Sequence, residues 1–155
     1  MPSFAIRDAR VEDRAALRAL LPRLAAFDLP PDRRAEDLWR GDGELLERYL
    51  RGDATECFCL VAADVSDAPL GVALVRMQPE PLSHDPAAHL EVLALAPEAE
   101  GRGLGRALVS AAETRARERG ARHMTLHVFA NNTRARALYE RAGYDGEMLR
   151  YRKRL

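Results

Sequence analysis

Three glycines, Gly101, Gly103 and Gly105, alternate between the apolar run His89–Ala96 and the amphipathic stretch that continues to Arg119. Glycine tolerates a left-handed backbone and lets main-chain N–H groups come close to a ligand. The first turn of a helix leaves its donors unpaired, and its dipole favours an anion. A strand, a glycine-rich turn and a helix start, in that order, can therefore hold a phosphate. The spacing excludes two common phosphate loops. No Lys-Ser or Lys-Thr follows the glycines, as G-x-x-x-x-G-K-S/T requires, and G-x-G-x-G lacks the third glycine of the dinucleotide pattern G-x-G-x-x-G. The run Met124–Asn131 closes on asparagine, so no acid stands where a ribose would be held. Taken alone, the glycines are equally compatible with a turn that only joins strand to helix.

The chain downstream adds a second pattern. Gly103-Leu104-Gly105 resembles the core of the pyrophosphate loop R/Q-x-x-G-x-G/A of the GNAT superfamily, the acetyl-CoA-dependent N-acyltransferases. Asn132, Ala135, Leu138, Tyr139, Gly143 and Tyr144 resemble that family's N-x-x-A-x-x-L-Y-x-x-x-G-F/Y. Ile6-Arg7-Asp8-Ala9 with Glu12-Asp13 is similar to its usual first strand and helix start. The resemblance covers nearly the whole chain and is most specific between Leu90 and Tyr144. It departs at Glu100, where the family usually carries Arg or Gln. An acid there does nothing to hold a diphosphate, so backbone amides must carry that contact.

The resemblance implies an α/β (α+β) fold: a mixed, mostly antiparallel sheet of six to seven strands flanked by about four helices, in which two splayed parallel strands form the cofactor cleft. It also implies transfer of an acetyl group from acetyl-CoA, as co-substrate, to a primary amine of a small molecule or protein, by direct attack in a ternary complex. The alternative is a non-catalytic acyl-CoA-binding or sensing domain, which Glu100 favours.

Such a transfer poses three chemical problems. An alkylamine of pKa about 10.4 carries a proton at pH 7, which adds roughly 4–5 kcal/mol to the barrier. Glu91 matches a position where many family members carry a base, acting directly or through water; its other reading is a strand glutamate paired with an arginine. The oxyanion needs a fixed donor, worth roughly 3–4 kcal/mol, and a backbone N–H between Leu93 and Leu95 is expected to supply it. The leaving thiolate needs an acid, and Tyr139 falls in the motif position whose phenol serves that purpose. Leu93, Leu95, Gly101, Arg102, Gly103, Gly105, Arg106, Ala107, Asn132 and Arg136 are the expected cofactor contacts. Arg134 or Arg136 is expected at the 3′-phosphate, and Asn132 at the pantetheine arm, as a helix cap, or both.

Composition sets the outer limits. The 155 residues suit one domain, spanning 1–155, with a real core. Twenty-four Lys and Arg balance twenty-four Asp and Glu, so no bulk field favours nucleic acid or a membrane surface. No apolar run approaches a membrane span, and the start has no secretory pattern, which points to the cytoplasm. Cys57 and Cys59 are expected as packing residues on one strand face rather than a disulfide or metal site. The four histidines suggest no metal, although His89 or His127 could relay a proton. The resemblance allows a homodimer. The acceptor amine is not legible.

The elements that must position these residues follow from pattern and punctuation. Ser3–Arg7 reads as a strand, and a helix with Leu17, Leu20, Leu21 and Leu24 on one face follows until Pro22 kinks or ends it. Phe27–Asp32 is loop. A helix is expected from about Ala35 to Leu50, interrupted at Gly41-Asp42-Gly43, with Trp39 packing or walling the acceptor site. Glu56–Ala63 and Leu70–Met77 read as an antiparallel hairpin, and the prolines make Gln78–Ala88 a loop. His89–Leu95 and His123–Phe129 are expected as parallel strands around the long helix that Gly120 stops. Asn131–Thr133 caps a helix reaching Ala142, and Tyr144–Met148 and Leu149–Arg154 are expected as closing strands.

Overall fold

The computed structural model describes residues 3–155. Five strands form one sheet in the order β1-β2-β3-β4-β5. They are β1 Ala5–Asp8, β2 Cys57–Ala63, β3 Pro69–Pro79, β4 Pro86–Leu95 and β5 His123–Leu126. Only the β4–β5 pair is parallel. The helices are α1 Arg14–Leu20, α2 Arg40–Leu50, α3 Leu104–Glu118 and α4 Thr133–Arg141. β2 is buried at every residue, so helices cover both faces of the sheet's centre. Leu17 and Leu46 from α1 and α2, and Leu104, Leu108 and Ala112 from α3, close over Phe58, Leu74 and Val92. Cys57 and Cys59 are free and buried in this core, and burial raises both thiol pKa values.

The resemblance's fold class is the one observed, with differences in the elements. The sheet has five strands among the described residues rather than six or seven. Tyr144–Met148 and Leu149–Arg154 form no strand. A hairpin is stable only when its face is buried, and here Met148, Leu149 and Tyr151 stand more than three-quarters exposed, with no strand among the described residues pairing on the outer edge of β5. Five of the eleven residues of Gln78–Ala88 are strand. Pro79 pairs with Pro86 at the hairpin's end, where a missing N–H is tolerated, and only 80–85 turns. Glu80 holds that turn by accepting hydrogen bonds from the Leu82 and Ser83 amides. The break before α2 falls at Trp39 (φ −136°), between a 3-10 turn at Ala35–Leu38 and the helix, and not at the glycines. β5 stops at Leu126, three residues short of the expected Phe129, for a reason that lies in β4.

Candidate active site

β4 carries one residue more than β3 can match. Leu74 pairs with Val92 and Val75 with Leu90, which leaves Glu91 as the unpaired residue of a β-bulge. A bulge bends its strand and re-aims a side chain. On the other edge the parallel ladder ends at Leu90–Leu126, one residue before the bulge, while β4 runs on to Leu95. The two parallel strands therefore part at Glu91, and the β5-facing main chain of Glu91–Leu95 has no strand partner among the described residues.

The direction of that free edge follows from one bond. The Ala96 N–H donates to the Leu70 carbonyl on the β3 side, so the Leu95 carbonyl points the opposite way, into the gap. Alternation puts the Leu93 N–H and C=O on the same edge. The Leu95 carbonyl accepts the Arg23 Nε–H at 3.2 Å from the 3-10 turn Leu21–Ala25.

Beyond Leu95 the chain turns through Pro97–Ala99 and reaches the glycines. Gly101 (φ +73°) and Gly103 (φ +81°) are both left-handed, and an added Cβ at either would meet nothing within 4 Å. Gly103 is the N-cap of α3 and supplies no side-chain bond. Its carbonyl takes the Ala107 N–H at 3.1 Å, so the amides of Leu104, Gly105 and Arg106 have no intrahelical partner. Gly105 serves another purpose: its Cα sits between Leu95 and Leu138, where a Cβ would touch both at 3.5 Å. This contact seats α4 against the end of β4.

Glu100 lies between the two parts. Its carboxylate accepts from Arg23 at 2.8 Å and from Arg134 of α4. Burial opposes its ionisation, but the hydrogen bonds from Arg134 and Arg23 prevail and hold its pKa below the usual range. An acid at the family's Arg/Gln position thus gathers two arginines at the mouth of the gap.

α4 forms the far wall. Asn132 caps it, accepting the Ala135 N–H at 3.3 Å. The Tyr139 ring meets Tyr144 edge-on with centroids 6.0 Å apart. Its hydroxyl has no hydrogen-bond partner among the described residues, and burial pushes its pKa up to about 12. Tyr144 is anchored differently, donating to Glu113 at 3.0 Å.

On the β3 side of the bulge, Glu91 meets Arg76 at 3.2 Å. The contact is misaligned, since the buried Arg76 Nε–H makes no hydrogen bond. His89 is buried, its Nδ1 2.7 Å from the Thr125 hydroxyl and its ring 4.7 Å from His127. Burial lowers its pKa, with Glu91 opposing. Asp42, in the first turn of α2, was not singled out from the sequence. Burial first, then the Glu91 charge, raises its carboxyl to about 7, while Arg76 pulls the other way.

The site residues expected from the sequence do not all converge. Glu91, Leu93, Leu95, Gly101, Gly103, Gly105, Asn132 and Tyr139 line or flank the gap, and Ala107 lies one turn into α3. Arg106 is exposed with no side-chain partner among the described residues. Arg102 turns away to the Ser3 hydroxyl and acts on Asp64. Arg136 folds back on the Ala130 carbonyl at 2.8 Å. Trp39 packs half-buried against the core. Arg23, Arg76 and the bulge were missed: nothing local to an arginine or a strand announces a partner dozens of residues away. Asp42 did carry a weak signal, an acid between two glycines at a helix start.

Hollows of about 430 and 500 Å³ lie elsewhere, beside Asp8 and Arg115 and beside Arg10 and Asp67, and are bordered by satisfied ion pairs. Among the described residues, no three His, Cys, Asp or Glu gather as a metal site, and no helix is long and apolar enough to cross a membrane.

Known proteins resemble this chain in sequence and in fold. The acetyltransferase (GNAT) family model matches residues 18–144. The mycothiol acetyltransferase of Arthrobacter sp. strain FB24 is 30% identical over 147 residues, covering 88% of this chain and 44% of that protein. The chain spans less than half the length of the mycothiol acetyltransferases it matches. The ribosomal-protein-alanine N-acetyltransferase of Brucella melitensis biovar Abortus 2308 has the same fold at 20% identity, with a TM-score of 0.70 over 98% of this chain and 99% of that one. AAC(6')-Iy, solved with the bisubstrate analogue CoA-S-monomethyl-acetylneamine, does so at 21% identity, with a TM-score of 0.71 over the same shares. The motif around Gly103, the motif from Asn132 to Tyr144 and the family match agree: the chain belongs to the acetyltransferase (GNAT) family.

Proposed function

We propose that this chain transfers an acetyl group from acetyl-CoA to a primary amine by direct attack in a ternary complex. The observation that carries the reading is the alignment of two sets of free main-chain groups: the uncapped α3 N-terminus behind Gly101 and Gly103, and the unpaired β4 edge that ends at the Glu91 bulge. The first set suits a diphosphate, which helix amides and dipole both favour. The second suits the amides of a pantetheine arm, which would extend the sheet at Leu93 and Leu95 and bring the thioester to the bulge. AAC(6')-Iy, with its CoA-based analogue, supports an acyl-CoA ligand for this fold.

The roles divide as follows. Amides of Leu104, Gly105 and Arg106 bind the diphosphate, with the Arg106 side chain outside it. Arg102 and Arg136 join only by leaving Ser3 and Ala130. Asn132 borders the arm, the Leu93–Leu95 edge supplies the oxyanion donor, and Glu91 takes a proton from the amine. Tyr139 donates to the leaving sulfur. With the phenol at about 12 and a thiol near 8.5, full transfer is uphill by roughly 5 kcal/mol, so a hydrogen bond to the departing thiolate is its contribution. Glu100 favours the second reading, a coenzyme-binding domain without turnover, because it adds negative charge beside the diphosphate site.

Release of free thiol from acetyl-CoA in the presence of pooled primary amines separates the two. Turnover above hydrolysis supports the transferase. Calorimetric binding of acetyl-CoA with no amine-dependent thiol supports the binding domain.

A further inference from the structure

Acetyl transfer to an alkylammonium strips two protons from one nitrogen. The first must leave before the lone pair can attack the thioester carbon. The second leaves the tetrahedral intermediate as the C–N bond becomes an amide and the C–S bond breaks. The thiolate takes one proton back, so one is released per turnover. A single carboxylate beside the nitrogen serves only one of these steps at a time, and the bulge residue Glu91 already has Arg76 as its counter-charge.

A second carboxylate is at hand. Asp42 is half-buried, and among the described residues it accepts no hydrogen bond and joins no ion pair. Its position follows from packing. The neighbouring Gly43 lies against Leu21, where a Cβ would meet the Leu21 side chain at 3.3 Å. Leu21 opens the same 3-10 turn that sends Arg23 to the Leu95 carbonyl. The start of α2 is thereby held against the turn that reaches the Leu95 carbonyl, and the charges acting on Asp42 are Glu91 from β4 and Arg76 from β3. Two acids thus face one arginine in this pocket.

Resting on the acetyltransferase reading above, we propose that Asp42 is the acceptor-binding carboxylate of this site: it pairs with the substrate's ammonium and takes its first proton, and Glu91 takes the second. The substrate class that fits is an alkylamine with positive charge and no carboxylate beside the reacting nitrogen, such as a polyamine or amino sugar. An α-amino acid would bring its own carboxylate against Asp42 and Glu91, with the one nearby cation already engaged. A carboxyl titrating at about 7 accepts a proton from an alkylammonium on the order of 10²–10³-fold more favourably than an ordinary glutamate. Two acids in different surroundings, one beside an arginine and one unpaired, suit two successive transfers.

The test is steady-state thiol release with spermidine and with L-serine, for the parent, Asp42→Asn and Asp42→Glu, alongside acetyl-CoA calorimetry. The parent should prefer spermidine at least tenfold in kcat/KM. Asp42→Asn should lower that value at least thirtyfold, abolish the acidic limb near pH 7, and leave acetyl-CoA affinity within twofold. Asp42→Glu should recover part of the loss. Spermidine turnover within threefold of the parent in Asp42→Asn, a parallel loss of acetyl-CoA affinity, or a preference for L-serine would each overturn the role of Asp42 while leaving the acetyltransferase standing. No turnover of either amine by a parent that binds acetyl-CoA, with none among the pooled amines, would remove both.

Discussion

Arg23 donates from Nε to the Leu95 carbonyl and from its terminal nitrogen to Glu100, so one side chain ties the free edge of β4 to the mouth of the glycine loop. A pantetheine amide pairing with Leu95 must displace the first of these bonds, and a diphosphate at α3 must share its field with the second partner. Glu100→Gln removes the anion and leaves Arg23 and Arg134 to face the ligand. Coenzyme A should bind three- to tenfold more tightly, with a steeper salt dependence between 50 and 200 mM. Weaker binding in calorimetry would mean that Glu100 is needed to hold the loop.

Tyr139→Phe keeps the ring against Tyr144 and removes only an unbonded hydroxyl. Turnover should fall about 100-fold, with the coenzyme A dissociation constant within twofold. Since burial keeps the phenol neutral to about pH 12, the parent's rate should show no basic limb from Tyr139 below pH 10. Equal losses in turnover and affinity would reduce the residue to packing.

Gly103→Val asks a β-branched side chain to take φ +81° at the head of α3. The backbone cost is about 1–2 kcal/mol, small enough to leave the fold intact by circular dichroism. Coenzyme A affinity should fall at least 100-fold, because the side chain enters the space before the free amides. Retained affinity would place the diphosphate elsewhere.

Much of this was legible in the sequence, and the division has a physical basis. The glycine loop, α3 and the Asn132 cap depend on residues close in the chain, where left-handed glycine and a capping side chain leave local signatures. The bulge at Glu91 and the end of pairing at Leu126 depend on the register between strands, which His89–Leu95 alone cannot encode. The same holds for Arg23–Glu100, seventy-seven residues apart. Prolines misled at Pro79 and Pro86 because a strand end excuses a missing N–H. The run 149–155 comes close to alternating like a strand, but alternation describes only a face in need of cover.

Asp42 makes a stability prediction as well. An unfolded aspartate titrates near 3.9 and this one at about 7, with Glu91 and Arg76 facing it. Between those values the folded chain binds more protons than the unfolded one, so this group's contribution falls as pH rises. Asp42→Asn should therefore match the parent's melting temperature near pH 4 and exceed it at pH 8. A difference that does not change with pH would mean the carboxyl titrates like a surface group.

Arg7 and Asp13 form the most buried ion pair near the sheet edge. Two guanidinium nitrogens contact the two carboxylate oxygens at 2.7 and 2.9 Å, and the Arg10 amide adds a third bond at 2.8 Å. Arg7→Met strands a buried carboxylate, at a cost of about 3 kcal/mol. The melting temperature should drop by roughly 6–12 °C at pH 7, and a scanning calorimetry change under 2 °C would contradict this.

The most direct measurement is a high-resolution electron-density map of crystals soaked in coenzyme A. The diphosphate should lie within hydrogen-bonding distance of the Leu104, Gly105 and Arg106 amides, with the pantetheine arm along Leu93–Leu95 in place of the Arg23 bond. Coenzyme bound away from the α3 N-terminus, or a β4 edge still closed by Arg23 with the ligand present, would contradict it.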